Sequence, residues 1–324
     1  MAKILITGGA GFIGSHVTKL MLDLGHDVVV YDSFVHYVYP LERAHIDNIA
    51  RRVAMIQGRA KLVRGHTHDQ DYLRRVVAEA KPEYIVHLAA MPLANLAVEH
   101  PEEAMQTIMQ GTMNLLQSCR DLSGLKRFVY VSSSMVYGDF ARVPVAEDDA
   151  KDPKEIYGSI KLAGELLTRA FSNLYGVQYA IVRPSAVYGP TDNNRRVLGI
   201  FCENALAGKT LTVRGANEAL DFTFVSDIAD GIVLATLHPN GGNQVFNMTR
   251  GRGRTIQEAA DIVARLVPGT RIEVAASDTR LPSRGGLDIA RARSVLGYQP
   301  KVDIEDGLGH YLEHLRAQRE AGLW

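Results

Sequence analysis

Thr7-Gly8-Gly9-Ala10-Gly11-Phe12-Ile13-Gly14 follows directly on the apolar run Lys3-Ile4-Leu5-Ile6-Thr7 and opens a helical pattern. Glycines at such a strand-to-helix turn let the backbone approach a pyrophosphate, which then sits at the helix N-terminus among free N–H groups. Eighteen residues beyond Gly14, Asp32 ends a second β-branched run, Val28–Tyr31. A carboxylate there accepts hydrogen bonds from both hydroxyls of a ribose and repels a 2′-phosphate, which favours NAD over NADP. Strand, spacing and acid coincide, so the turn reads as a dinucleotide site.

Working outward, Lys61–Val63, Tyr84–Leu88, Phe128–Val131 and Gln178–Val182 read as further strands, with helical patterns between them. The alternation predicts an α/β fold, a Rossmann-type doubly wound parallel sheet with right-handed crossovers and its ligand crevice beyond the carboxyl ends of the strands. The aromatic stretch Phe34-Val35-His36-Tyr37-Val38-Tyr39-Pro40 reads as a loop on the rim, with a helix from Leu41. Pro153 is expected to open a long helix running to about Tyr175. After Gly189-Pro190 the pattern changes. Helices near 197–207, 226–238, 255–266 and 304–318 alternate with brief strands at 211–213, 245–247 and 271–274. The expected division is residues 1–189 as the dinucleotide-binding domain and 190–324 as mainly a smaller C-terminal α/β substrate lobe, with segments crossing between them.

Composition removes several classes. The 324 residues are 46% hydrophobic and 22% charged, and 36 basic side chains balance 36 acidic ones. No global field recruits nucleic acid or an anionic membrane, and the apolar runs fall short of the roughly 18 to 20 residues a membrane span needs. Met1-Ala2-Lys3 runs into the first strand without a leader pattern, so a cytoplasmic location is expected. Cys119 and Cys202 read as reduced core thiols. His66, His68 and Asp69 have a ligand-like spacing, but two-residue spacing in a loop is weak, and no metal is expected. Arg250-Gly251-Arg252-Gly253-Arg254 reads as a solvated or phosphate-facing loop.

Val131-Ser132-Ser133-Ser134-Met135 follows a strand expected at the centre of the sheet, and 24 residues beyond Ser133 stands Tyr157-Gly158-Ser159-Ile160-Lys161. Tyr157 and Lys161 share a helix face. An ammonium close to a phenol favours the phenolate, so Tyr157 would take a proton from a substrate hydroxyl as hydride leaves the same carbon. Ser133 would hold the oxygen.

With these residues stand His87-Leu88-Ala89-Ala90, Ser133-x-x-x-Tyr137-Gly138, Arg183-Pro184-x-x-Val187-Tyr188-Gly189-Pro190 and Leu296-Gly297-Tyr298-x-Pro300. In this order along the whole chain they resemble the extended short-chain dehydrogenase/reductases, and within them the nucleotide-sugar epimerase/dehydratase group. The resemblance implies a tightly held NAD, a nucleotide-sugar substrate and a homodimer built on the helices that begin near Pro101 and Pro153. It implies catalysis by Ser133, Tyr157 and Lys161. Gly8, Gly11 and Gly14, with the N–H groups of Phe12 and Ile13, would cradle the pyrophosphate, and Asp32 would hold the adenosine ribose. Leu88 and Ala89 would line the channel, Tyr157 and Lys161 would meet the nicotinamide ribose, and Pro184 and Val187 would back the ring. Ser133, Ser134, Met135, Arg195, Val197, Arg214 and Arg284 would approach the substrate.

The departures narrow this. Where dehydratases of the group carry Asp-Glu, this chain has Ser134-Met135, which removes the acid that dehydration needs. Ala186 replaces an Asn, and Leu220 an Arg, that in the family meet substrate phosphates. His66, Ile108 and Ile160 replace Asp, Asn and Ser. Either other arginines (Arg195, Arg196, Arg214, Arg250, Arg284) compensate, or the substrate is not nucleotide-linked. The resemblance therefore implies an NAD-dependent epimerase of a nucleotide-activated sugar, expected to invert C4. A dehydrogenase or ketoreductase exchanging its cofactor remains as the alternative, and a dinucleotide sensor without turnover as a third reading.

Overall fold

A computed structural model describes residues 1–37, 40–276 and 282–324. Seven strands form one all-parallel sheet: β1 Lys3–Thr7, β2 Asp27–Asp32, β3 Lys61–Arg64, β4 Tyr84–His87, β5 Arg127–Val131, β6 Tyr179–Arg183 and β7 Gln244–Asn247. The order is β7-β6-β5-β4-β1-β2-β3, so the direction of winding reverses between β1 and β4. Six of these strands stand where the β-branched runs predict them. The seventh is Gln244–Asn247, which pairs in parallel with Tyr179–Arg183, so the chain beyond 190 returns to complete the sheet.

Side chains alternate between the faces because the strand period is two. Ile4, Ile6, Val28, Val30, Val86, Val129, Val182 and Phe246 share one core with Val17 and Met21 of helix Phe12–Asp23 and Ile228 and Ile232 of helix Val225–Leu237. Leu5, Ile85, Phe128, Tyr130 and Ile181 pack on the other face against Leu73 and Val77 of helix Gln70–Ala80 and Leu115 and Leu116 of helix Gly111–Cys119. With both faces covered, the strands read as continuous apolar runs. The first core runs on without a break into the C-terminal helices, through Leu198, Phe201, Ile262, Val263, Tyr311 and Leu315.

Helix Ile156–Tyr175 starts three residues later than Pro153, because Glu155 caps it. The carboxylate accepts from the backbone N–H of Tyr157 at 2.8 Å and of Gly158 at 2.7 Å. The helix that Pro101 opens passes through a π-helical segment, Met105–Gln110, before continuing as Gly111–Cys119. The Arg250–Arg254 loop is clamped rather than solvated: Arg250 pairs with Asp303 and Arg254 with Glu305, both against helix Ile304–Glu320.

A buried polar network ties the site-bearing elements together. Arg183 of β6 makes a bidentate pair with Glu165 of helix Ile156–Tyr175, Nε to Oε1 at 2.9 Å and Nη2 to Oε2 at 2.7 Å, and both side chains are fully buried. Ser132, just past β5, donates to Glu165 Oε1 at 2.6 Å. Arg183 Nη1 donates to the Tyr137 hydroxyl at 2.7 Å, and that hydroxyl meets Asn247 Oδ1 of β7 at 2.7 Å. In the lobe, buried Asp221 gathers three loops: Oδ2 accepts from the Thr249 hydroxyl and from the backbone N–H of Gly251 and Leu287. Its Oδ1 has no partner, and burial pushes its pKa up to about 7.

Two outcomes follow. Arg183→Met strands a buried carboxylate and lowers stability in denaturant unfolding by roughly 3–5 kcal/mol, and adding Glu165→Leu recovers part of the loss. An Asp whose folded pKa exceeds its unfolded value contributes stability below the unfolded pKa and loses it as pH rises through the folded one. The melting temperature of Asp221→Asn relative to the parent therefore rises between pH 4 and pH 7; a flat difference contradicts the assignment.

Candidate active site

Beyond the carboxyl ends of β1, β2, β4, β5 and β6 lies a cavity of about 1130 Å³. It opens where the strand order reverses, the crevice in which open parallel sheets bind ligands. Its wall includes Gly8, Gly11, Phe12, Ile13 and Gly14, then Asp32, Leu88 and Ala89, then Ser133, Ser134, Met135, Tyr157 and Lys161, then Pro184, Val187, Arg195, Val197 and Arg284. Of the residues given a catalytic, cofactor or substrate role by the sequence, all but one meet in one space. The exception is Arg214, which is exposed at the end of strand Leu211–Arg214 and does not line the cavity. Arg250 is likewise held elsewhere, against Asp303 and the Pro300 carbonyl.

The glycine turn is built for a close backbone approach. Gly8 has φ +72°, and a Cβ there would stand 2.8 Å from the Ala89 nitrogen; one on Gly14 would stand 2.0 Å from the Gly8 oxygen. Helix Phe12–Asp23 starts from Gly11 with no side-chain cap, so its first N–H groups are left for a ligand. Asp32 Oδ2 accepts from Ala10 N at 2.9 Å and Oδ1 from Phe34 N at 2.8 Å, which fixes the carboxylate beside the turn. These residues fit a dinucleotide: cradle, helix end and ribose-facing acid stand in sequence along one wall.

At the other end, Lys161 Nζ donates to the Val131 carbonyl at 2.8 Å and lies 5.8 Å from the Tyr157 ring centroid. Burial pushes Lys161 down to about 7, opposed by Glu165 one turn on. Burial likewise pushes Tyr157 up to about 12. The cation that lowers it is Arg196, and the Ser133 hydroxyl acts in the same direction. Lys161, with one donor on the Val131 carbonyl, stands on the same side of the helix as Tyr157, as the spacing predicts. Arg196 is anchored to Asp192 at 2.8 Å and to the Pro92 carbonyl. Ser133 Oγ accepts from Met135 N at 3.2 Å and so caps the turn Ser134–Tyr137.

Behind Lys161, His87 bridges Thr7 Oγ1 at 2.7 Å and Thr112 Oγ1 at 3.0 Å; burial pushes its pKa down to about 3, so it stays neutral. His66 and His68 stack with centroids 4.9 Å apart on the cavity wall, while Asp69 accepts from Tyr72 N as a helix cap. Among the described residues no group of three or more His, Cys, Asp or Glu could hold a metal. Three of the cavity residues, Phe34, Ala186 and Arg195, have positive φ without being glycine. Ala186 at φ +37° keeps a backbone geometry that Asn adopts more readily. Sequence reasoning left Arg52 and Glu165 unassigned and placed no charge of Arg196 on Tyr157. An arginine in the apolar stripe Ile49–Arg52–Val53 was the available signal for the first.

Residues 4–249 match the NAD dependent epimerase/dehydratase family. A UDP-glucose 4-epimerase of Mycolicibacterium smegmatis is 34% identical over 97% of this chain and 98% of its own length. A UDP-glucose 4-epimerase of Thermotoga maritima, solved with UDP-glucose, superposes with a TM-score of 0.87 at 28% identity, covering 98% of this chain and 99% of that one. A UDP-glucuronic acid 4-epimerase of Bacillus cereus, solved with UDP-glucuronic acid and NAD, gives 0.88 at 25% identity, covering 97% and 99%. By sequence match and full-length likeness, the chain belongs to the NAD-dependent epimerase/dehydratase family.

Proposed function

We propose that this protein is an NAD-dependent epimerase of a nucleotide-activated sugar, inverting C4. The observation that carries the reading is that one cavity joins the glycine cradle and Asp32 to Ser133, Tyr157 and Lys161. In this reading the N–H groups at Gly11–Gly14 hold the diphosphate of NAD, Asp32 the adenosine ribose, Lys161 the nicotinamide ribose, and Pro184 and Val187 back the ring. When bound, NAD supplies a reversible hydride acceptor and, oxidised, a positive ring.

The chain's own residues move the proton. Tyr157 Oη takes it from the hydroxyl of the carbon to be inverted and later returns it, while the Ser133 hydroxyl holds the sugar oxygen in both directions. A phenol near 12 gives up its own proton only where positive charge gathers, and Arg196 is placed to contribute. Dehydration is disfavoured, since the acids lining the cavity are Asp32 and Glu103, and Ser134 and Met135 stand beside the trio. Arg195 and Arg284 are the cations of the lobe side that face the space for substrate phosphates. Apolar Ala186 and Leu220 in the same wall favour the second reading, a dehydrogenase of a sugar that carries no nucleotide.

The expected dimer and a cytoplasmic setting go with this reading. Val98 and Met105, beside Pro101, and Leu166, on helix Ile156–Tyr175, expose 57%, 48% and 59% of their surface on segments that pack together. Among the described residues no helix is long and apolar enough to cross a membrane.

Tyr157→Phe should lower the interconversion of UDP-hexose C4 epimers at least a hundredfold while leaving bound NAD in place; unchanged turnover overturns the mechanism. Under the second reading the parent chain instead releases free NADH with an unlinked sugar. Light scattering on the eluted protein should give twice the chain mass, and Leu166→Glu should halve it.

A further inference from the structure

Arg52 lies on helix Arg43–Ala54 and lines the cavity between Ile49 and Val53. It is 6% exposed, its Nε has no hydrogen-bond partner, and it belongs to no ion pair among the described residues. The carboxylates whose field reaches it are Asp192 and Asp32. Both are committed elsewhere: Asp192 to Arg196 and to Asn194, Asp32 to the N–H groups of Ala10 and Phe34. His16, one turn into the helix that the glycine turn opens, lies within the field of Arg52. Burial pushes His16 down to about 4, and Arg52 adds to that shift, so His16 brings no second charge.

The remaining cations of the cavity have other tasks. Lys161 is on the Val131 carbonyl and Arg196 on Asp192, while Arg195, which is exposed, and Arg284, which reaches Met135 Sδ at 3.4 Å, belong to the substrate side in the reading above. A buried guanidinium without an anion is destabilising by itself and persists where a ligand supplies the charge. A dinucleotide diphosphate carries two negative charges, and a helix N-terminus offers about half a unit of positive charge. We propose that Arg52 is the residue that neutralises the diphosphate in the adenosine half of the bound dinucleotide. This rests on the cofactor reading above and adds to it a residue outside the glycine motif.

The test titrates the full chain, after exchange of any retained nucleotide, with adenosine, ADP and adenosine 2′,5′-bisphosphate, comparing the parent with Arg52→Met and Arg52→Lys. Arg52→Met should weaken ADP roughly 10- to 100-fold, the range for hydrogen bonds to a charged group, and leave adenosine within about twofold. Arg52→Lys should retain part of the ADP affinity. Without nucleotide, Arg52→Met should melt no lower than the parent, since it removes a buried unpaired charge. Equal losses for adenosine and ADP, an unchanged ADP affinity, or a loss confined to the 2′,5′-bisphosphate would each overturn the assignment. A parent chain that binds neither ADP nor NAD removes the cofactor reading itself, which is a separate result.

Discussion

The pairing of Glu165 with Arg183 is the constraint on which the site depends. It joins the helix that carries Tyr157 and Lys161 to β6, and through Ser132 it reaches the segment that carries Ser133. Two charges removed from water are expensive to hold, and they are held here by a bidentate contact, with Ser132 on the carboxylate and Tyr137 and the Glu147 carbonyl on the guanidinium. The arrangement gives the trio its geometry: Lys161 stands one turn before Glu165, and Ser133 one residue after Ser132. Through Tyr137 and Asn247 the same network reaches β7, so the sheet edge is tied to the reactive end of the cavity.

A second constraint is electrostatic. At the trio end, burial disfavours charge on both Tyr157 and Lys161. Proton transfer by such a phenol is favoured by nearby positive charge, and Arg196 and Lys161 are the cations whose fields or contacts reach Tyr157. The far end is the converse: a glycine turn with open N–H groups and an unpaired Arg52 awaits anionic charge. One cavity therefore presents a buried proton-transfer end and an anion-accepting end, which suits a long ligand with its negative charge set apart from its reactive group.

The sheet and the wall of the cavity were legible in the sequence because glycines, strand-end acids and the Tyr-x-x-x-Lys spacing report backbone geometry directly. Gly8 and Gly14 have no room for a Cβ, and Asp32 is fixed by the turn it follows. What escaped the reading is set by contacts distant in the chain. Gln244–Asn247 looks like any brief strand, and only its pairing with β6 places it in the main sheet. The start of the catalytic helix depends on Glu155 rather than Pro153, since a side-chain cap outweighs a position merely compatible with a helix. Arg214 was placed by analogy of segment, and its strand turns that side chain to solvent. The field of Arg196 at Tyr157 comes from 39 residues away, which no local spacing reveals.

The central claim is that the hydride carrier stays in the cavity through the reaction. It is tested most directly by denaturing the purified protein with no cofactor added and counting the released nucleotide by absorbance and mass spectrometry. The account predicts close to one NAD per chain. A chain that emerges empty and exchanges NAD or NADP freely with solution would contradict it.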